Sequence, residues 1–235
     1  MSRFSYYLPI LGYHRVGTLK GDHVPTVSVD AFERQMRFLA RRFQVIDLKV
    51  AVDCLDRSAP LPRKSAVITF DDGYEETYTL AWPVLRRLGF PATLFVTVEE
   101  IGRPGFATWV QVREMAQHGI SIGCHTMHHR YLPAVPTDRL PQEIVEAKRV
   151  LEERLGQPVQ FISYPVGGFT AEVQALVKQA GYRAACTTNR VSALDGVDRF
   201  ALRRVKVTER DGNVWLFRAK LSGYYDAFRR LRQPG

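Results

Sequence analysis

Cysteine is scarce in this 235-residue chain, which has only three, Cys54, Cys124 and Cys186. An odd number, wide spacing and apolar surroundings argue against a disulfide framework and predict buried free thiols. No stretch approaches the roughly 20 consecutive apolar residues of a membrane-spanning helix. Residues 6–13 are too few and too Pro-interrupted to form the apolar core of a signal peptide, so a cytoplasmic location is expected. Repeats and low-complexity linkers are absent as well. With 46% hydrophobic content the chain can bury one substantial core, and a single domain over residues 1–235 is expected. Acidic residues are outnumbered, 24 against 33 Lys and Arg, which leaves a formal charge of +9. That balance suits acidic polymers, nucleic acid or anionic membrane surfaces and selects none of them.

What is present is an alternation of strand-like and helix-like stretches, the signature of βα units. Residues 31–42 place Phe32, Met36 and Leu39 at helical spacing, and residues 43–48 read as a strand. Residues 65–70 alternate as a strand, residues 75–88 read as a helix kinked at Pro83, and residues 91–98 form a dense apolar strand. Helix 110–118 precedes strand 120–124, and helix 140–155 precedes strand 159–164. Helix 170–180, an extended run at 182–188 and a last strand at 200–207 follow. A short covering helix at 213–222 closes the series, with Trp215, Leu216 and Leu221 read as core. The pattern gives an α/β fold and does not separate a closed barrel from an open doubly wound sheet.

Two short segments carry the chemistry. Thr69-Phe70-Asp71-Asp72-Gly73 sets two carboxylates at a strand end before a glycine that permits a sharp turn. His125-Thr126-Met127-His128-His129 follows the next strand but one and gathers three of the six histidines. Side chains alternate along a strand, so Cys124 is expected to face away from His125. A catalytic zinc site takes three His or carboxylate ligands and keeps a position for water, whose pKa the ion lowers to about 7. A second carboxylate beside it can serve as base, and the sum is amide or ester hydrolysis. An Asp-Asp-Gly turn alone is often only a turn; the two segments together are far more specific. A two-His, one-carboxylate set also serves non-haem iron oxygenases, but that chemistry leaves no use for Asp71.

At these residues the sequence resembles the polysaccharide deacetylase family, also called the NodB-homology domain or carbohydrate esterase family 4. Its third motif, an aromatic and Pro-x-Gly loop after a strand, is matched by Tyr164, Pro165, Val166 and Gly167. Residues 8–16 and 32–48 resemble the amino-terminal part of the exopolysaccharide deacetylase branch. The resemblance implies a distorted (β/α)7 barrel and an N-acetylated oligo- or polysaccharide as partner, with no nucleic acid. It makes Asp71 the base and Asp72, His125 and His129 the ligands of a divalent metal, with zinc first. The backbone N–H of Val166 would stabilise the oxyanion, and Tyr164 and Pro165 would flank substrate. His128 competes with His129 for the ligand register, and the family pattern favours His129.

Two supporting positions depart from that pattern. No histidine follows His129, so the family's late acid is missing, and the arginine that commonly precedes the motif-three proline by two residues is here Ser163. The candidates to replace them are His14, ending the first strand, and Arg204, in the last one. Tyr13, Tyr164 and Trp109 are candidates to line a sugar groove. The expected activity is removal of N-acetyl groups from sugars of a polysaccharide or its precursor. The alternatives are a deacylase or deformylase of a lipid-linked or small amino sugar, held near the inner membrane face by its positive charge, and a non-catalytic, metal-containing carbohydrate-binding protein.

Overall fold

The computed structural model describes residues 8–18, 23–188 and 198–222. Residues 6 and 7, part of the stretch weighed as a leader, lie outside them. In chain order the strands are β1 (Ile10–Tyr13), β2 (Arg15–Val16), β3 (Thr26–Val27), β4 (Gln44–Val45), β5 (Ser65–Phe70) and β6 (Ala92–Val96), continuing with β7 (Ile120–Cys124), β8 (Phe161–Ser163), β9 (Ala184–Thr187), β10 (Leu202–Arg203) and β11 (Val205–Lys206). The α-helices are α1 (Val29–Arg42), α2 (Leu48–Asp56), α3 (Trp82–Leu88), α4 (Trp109–Gln117), α5 (Ala147–Leu155), α6 (Ala171–Gln179) and α7 (Val214–Leu221).

The large sheet is parallel throughout and runs β10-β9-β8-β7-β6-β5-β1-β11, with β4 attached to β5. Its two edges are one stretch of chain: Leu202 and Arg203 pair with Cys186 and Thr187, while Val205 and Lys206 pair with Leu11 and Gly12. Residues 202–206 therefore join both edges and draw the sheet into a barrel of seven staves, the (β/α)7 arrangement. The expected continuous strand at 200–207 is broken at Arg204, because the segment changes partner there. A separate parallel ribbon, β2 with β3, lies beside the barrel.

Strand alternation divides the apolar residues into two cores. Leu11, Ala66, Ile68, Phe70, Leu94, Val96, Ile122, Cys124 and Ile162 face the helices and pack with residues such as Phe32, Met36 and Leu39 of α1. Ile10, Val67, Phe95, Phe161, Ala184, Cys186 and Leu202 point the other way and pack with Leu48, Ala51 and Val52 of α2. This second set fills one end of the barrel, with α2 as its plug. At the other end the same alternation turns His14, Thr69, Asp71, His125, Ser163 and Arg204 inward, where polar groups replace the apolar layer.

Several local expectations are corrected. Residues 43–48 form only the two-residue β4, because Asp47 caps α2 through Lys49 N at 2.6 Å and Leu48 already opens that helix. Ahead of Pro83 the chain makes a π turn over Thr77–Ala81, whose longer-range hydrogen bonding accommodates a residue without an N–H. A second π turn, Gln142–Glu146, precedes α5. Trp215 is 72% exposed, and Phe217 and Leu221 supply the buried face of α7. All three cysteines are free, Cys124 and Cys186 buried and Cys54 only partly so. Among the described residues no helix is long and apolar enough to cross a membrane.

Candidate active site

Because every stave is parallel, the loops after the strands collect at one end of the barrel, the face on which α/β barrels build their sites. Ladder register decides which side chains become neighbours there. Tyr13 pairs with Phe70, which sets His14 beside Asp71; Cys124 pairs with Ile162, which sets His125 beside Ser163. Asp71 continues the inward alternation of β5 and is 2% exposed. Asp72 does not: its φ of 72° takes the chain out of the extended form and brings a second carboxylate to the same end. Gly73 (φ 91°) completes the turn, and a Cβ there would lie 2.8 Å from Ile101 Cδ1.

Asp72, His125 and His129 each offer a ligand atom, and the three atoms lie within 4.8 Å of one another. His125 Nε2 is 3.4 Å and His129 Nε2 3.2 Å from Asp72 Oδ1. That oxygen is buried, and neither contact is aligned as a hydrogen bond. His125 Nδ1 lies 2.7 Å from the Ser163 carbonyl, which can only accept, so Nδ1 carries the proton and Nε2 turns a lone pair toward the Asp72 oxygen. A lone pair facing an unpartnered carboxylate oxygen is an arrangement that a cation completes, and the carbonyl bond behind the imidazole is the usual support of a metal-binding histidine. The donor set fits a divalent ion of zinc type.

Burial holds His125 below the ordinary imidazole pKa, which keeps it a neutral donor. His129 is shifted upward by its contact with Asp72. Burial alone would raise Asp72, but the approach of His129 and His125 brings it below the usual carboxylate value. Thr126 and His129 share the left-handed backbone region, at φ 68° and 57°, and Thr126 Oγ1 accepts from His129 N at 3.0 Å. Such backbone costs about 1–3 kcal/mol per residue and persists where the surroundings enforce it. His128 points elsewhere: its Nδ1 lies 2.8 Å from Glu143 Oε1, and its backbone N–H donates to Glu143 Oε2 at 3.0 Å.

Asp71 is gripped by Arg204. The guanidinium donates to Asp71 Oδ1 at 2.7 Å and Oδ2 at 2.5 Å, to Thr69 Oγ1 at 3.0 Å and to Ser163 Oγ at 2.8 Å, with the Phe95 ring 5.5 Å beneath it. Burial pushes the Asp71 carboxyl up, yet the Arg204 charge and hydrogen bonds outweigh it and hold the group far below the usual range. Arg204 thus reaches from the closing strand to Ser163, the residue standing where the family commonly has its arginine. Arg204 is a candidate from its strand alone; of its other neighbours, Thr69 opens the Asp-Asp-Gly segment with no role read for it there, and Phe95 carries no signal in the sequence. His14 Nε2 is 4.0 Å from Asp71 Oδ2, and its Nδ1 is buried without a hydrogen-bond partner among the described residues. Burial lowers its pKa despite the two carboxylates nearby.

The aromatic groove residues are corrected. Tyr13 is fully buried with its hydroxyl on Gln35 Oε1, and Tyr164 is 1% exposed, donates to the Phe200 carbonyl at 3.0 Å and stacks on Phe169. Both rings face the helices, since the inward positions of their strands are His14 and Ser163. Trp109 packs partly buried against the outer core, with the Arg154 guanidinium 5.5 Å from its ring. Pro165 is buried, whereas Val166 is 69% exposed at φ 57°, an uncommon conformation for a β-branched residue.

Residues 58–185 match the family model described as polysaccharide deacetylase. A putative polysaccharide deacetylase of Bacillus subtilis, YxkH, is 35% identical over 202 residues, 86% of this chain and 71% of the relative. The poly-beta-1,6-N-acetyl-D-glucosamine N-deacetylase of Escherichia coli K12 is 30% identical over 124 residues, 45% of this chain and only 18% of that protein. Among solved structures, the Streptococcus pyogenes deacetylase PplD in complex with acetate superposes with a TM-score of 0.80 at 24% identity, covering 89% of this chain and 96% of that one, a likeness of fold. The matched model, the long alignment to a relative and the seven-stave barrel agree: this chain belongs to the polysaccharide deacetylase family.

Proposed function

We propose that the protein is a metal-dependent hydrolase that removes N-acetyl groups from the N-acetylated sugars of a polysaccharide or its precursor. The observation that carries this reading is one barrel end where an Asp/His/His ligand set stands beside a second carboxylate kept ionised by a buried arginine. Membership of the family and the relative named for poly-N-acetylglucosamine support an N-acetylated glycan as substrate. Asp72, His125 and His129 would hold the ion, zinc by donor type. Bound there, it would supply Lewis acidity to a carbonyl oxygen and lower the pKa of water.

Asp71 accepts the proton of the attacking water. Arg204 keeps it ionised and fixes its plane, which lowers its basicity but guarantees the proton-accepting form at any working pH. Attack on the acetamide carbon places negative charge on the carbonyl oxygen. The N–H of Val166, in the first turn of a one-turn helix and so without an intrahelical acceptor, is the backbone donor assigned to that charge. Collapse breaks the C–N bond and releases acetate, and the leaving nitrogen takes a proton. His14 is neutral at rest by its lowered pKa, and Asp71, 4.0 Å away, is the group that gains a proton during attack. His14 returns that proton to the amine. Acetate release from N-acetylglucosamine oligomers, dependent on added metal and lost in Asp71→Asn, tests the proposal.

A further inference from the structure

Resting on the deacetylase reading, we infer that Tyr131 is a sugar-stacking platform beside the site, which makes the preferred substrate an oligomeric glycan rather than a free amino sugar. Tyr131 is one of two aromatic side chains exposed to a large extent among the described residues, at 49%; the other, Trp215, lies on α7. It follows His129 by two positions, so its Cα lies within about 7.6 Å of that ligand's by chain reach alone. Its ring rests on Gly168: a Cβ there would lie 2.1 Å from Tyr131 Cε2. The ring thus spans from the segment bearing His129 to the loop bearing Val166, the oxyanion donor, and turns its remaining surface to solvent.

The support beneath the ring is rigid. Gly167 and Gly168 N–H groups donate to the Tyr164 and Pro165 carbonyls at 2.8 and 3.2 Å, and Thr187 Oγ1 donates to the Gly167 carbonyl at 2.7 Å. Stacked Tyr164 and Phe169 brace the loop from below, with ring centroids 4.7 Å apart. A flat amphipathic face held in advance against the C–H face of a pyranose is an economical way to bind the sugar next in the chain. Gly168 has φ −82° and ψ 136°, which any residue adopts, so a methyl group there moves the Tyr131 ring without straining the backbone.

The test is binding without turnover. Metal-stripped protein is titrated calorimetrically with N-acetylglucosamine and with its β-1,6-linked tetramer. Wild type should bind the tetramer about tenfold more tightly than the monomer, and Tyr131→Ala and Gly168→Ala should each bring that ratio close to one, while Tyr131→Trp keeps it. In metal-loaded protein, Tyr131→Ala should raise KM for the tetramer about tenfold with kcat moved less than about twofold. Equal affinity for monomer and tetramer in wild type, an undiminished ratio in Tyr131→Ala, or a loss confined to kcat would overturn the platform. Should the deacetylase reading itself fail, acetate release would be absent while the binding ratio and its dependence on Tyr131 persist.

Discussion

Replacing Arg204 with Met is expected to cost the protein both stability and its usable pH range, and each cost follows from one ion pair. Asp71 and Arg204 are 2% and 3% exposed, joined by two parallel hydrogen bonds, with two more from the guanidinium to Thr69 and Ser163. Removing one partner of such a pair leaves an uncompensated buried charge and costs about 3–5 kcal/mol. At roughly 2–4 °C per kcal/mol for a domain of this size, Tm should fall by about 6–20 °C. With the guanidinium gone, burial pushes the Asp71 carboxyl upward, opposed only by the nearby His125 and His14. The base must be ionised, so activity of Arg204→Met should be lost on acidification at a higher pH than in wild type. In the wild-type fold the depressed Asp71 pKa contributes stability above the unfolded carboxylate value of about 3.9, lost as pH falls through the folded one. The assay is a thermal melt and a pH–rate profile on Arg204→Met, Asp71→Leu and the double variant. The double variant should lose much less than the sum of the two single losses. Additive losses, together with an unmoved acidic limb, would refute the pairing as the source of either effect.

His125→Ala and His129→Ala should each drop bound zinc well below one ion per chain, and Asp72→Asn should weaken it, as measured by elemental analysis after dialysis; wild-type occupancy in either histidine variant would remove that residue from the ligand set. Zinc affinity followed by calorimetry from pH 5 to 8 should fall on acidification through a midpoint above the ordinary imidazole value, because His129 is raised and cannot bind metal once protonated; a midpoint at or below that value would contradict the Asp72–His129 contact. His14→Gln should lower acetate release about 10²- to 10⁴-fold per folded, metal-loaded molecule, whereas an unchanged rate and pH profile would leave solvent as the proton donor.

Much of the candidate site was legible because the residues that could hold a metal are local. Asp71 and Asp72 sit together at one strand end and His125 and His129 within one turn of another, so strand alternation and spacing suffice to place them. The alternation that put Cys124 away from His125 is seen in the outer core, where Cys124 packs. What escaped is set by pairing across the barrel. Thr69, Ser163 and Phe95 meet Arg204 because residues 202–206 join two sheet edges, a closure that no local pattern reports. The expected sugar aromatics failed for a related reason: Tyr13 and Tyr164 each adjoin an inward residue and must face the helices. Glu143 falls within the helix expected at 140–155, yet it is buried and holds the His128 backbone from a π turn. Trp215, expected in the core from its place on a covering helix, is exposed, and Phe217, two positions on, holds that place.

Acetate released per metal-loaded molecule from the N-acetylglucosamine tetramer, compared between wild type and Asp71→Asn at matched zinc content, tests the central claim most directly. The account expects steady release from wild type that stops on metal removal and returns on reloading, with release from Asp71→Asn at background although its zinc is retained. Turnover by Asp71→Asn at a rate near wild type, or equal release from stripped and loaded wild type, would contradict it.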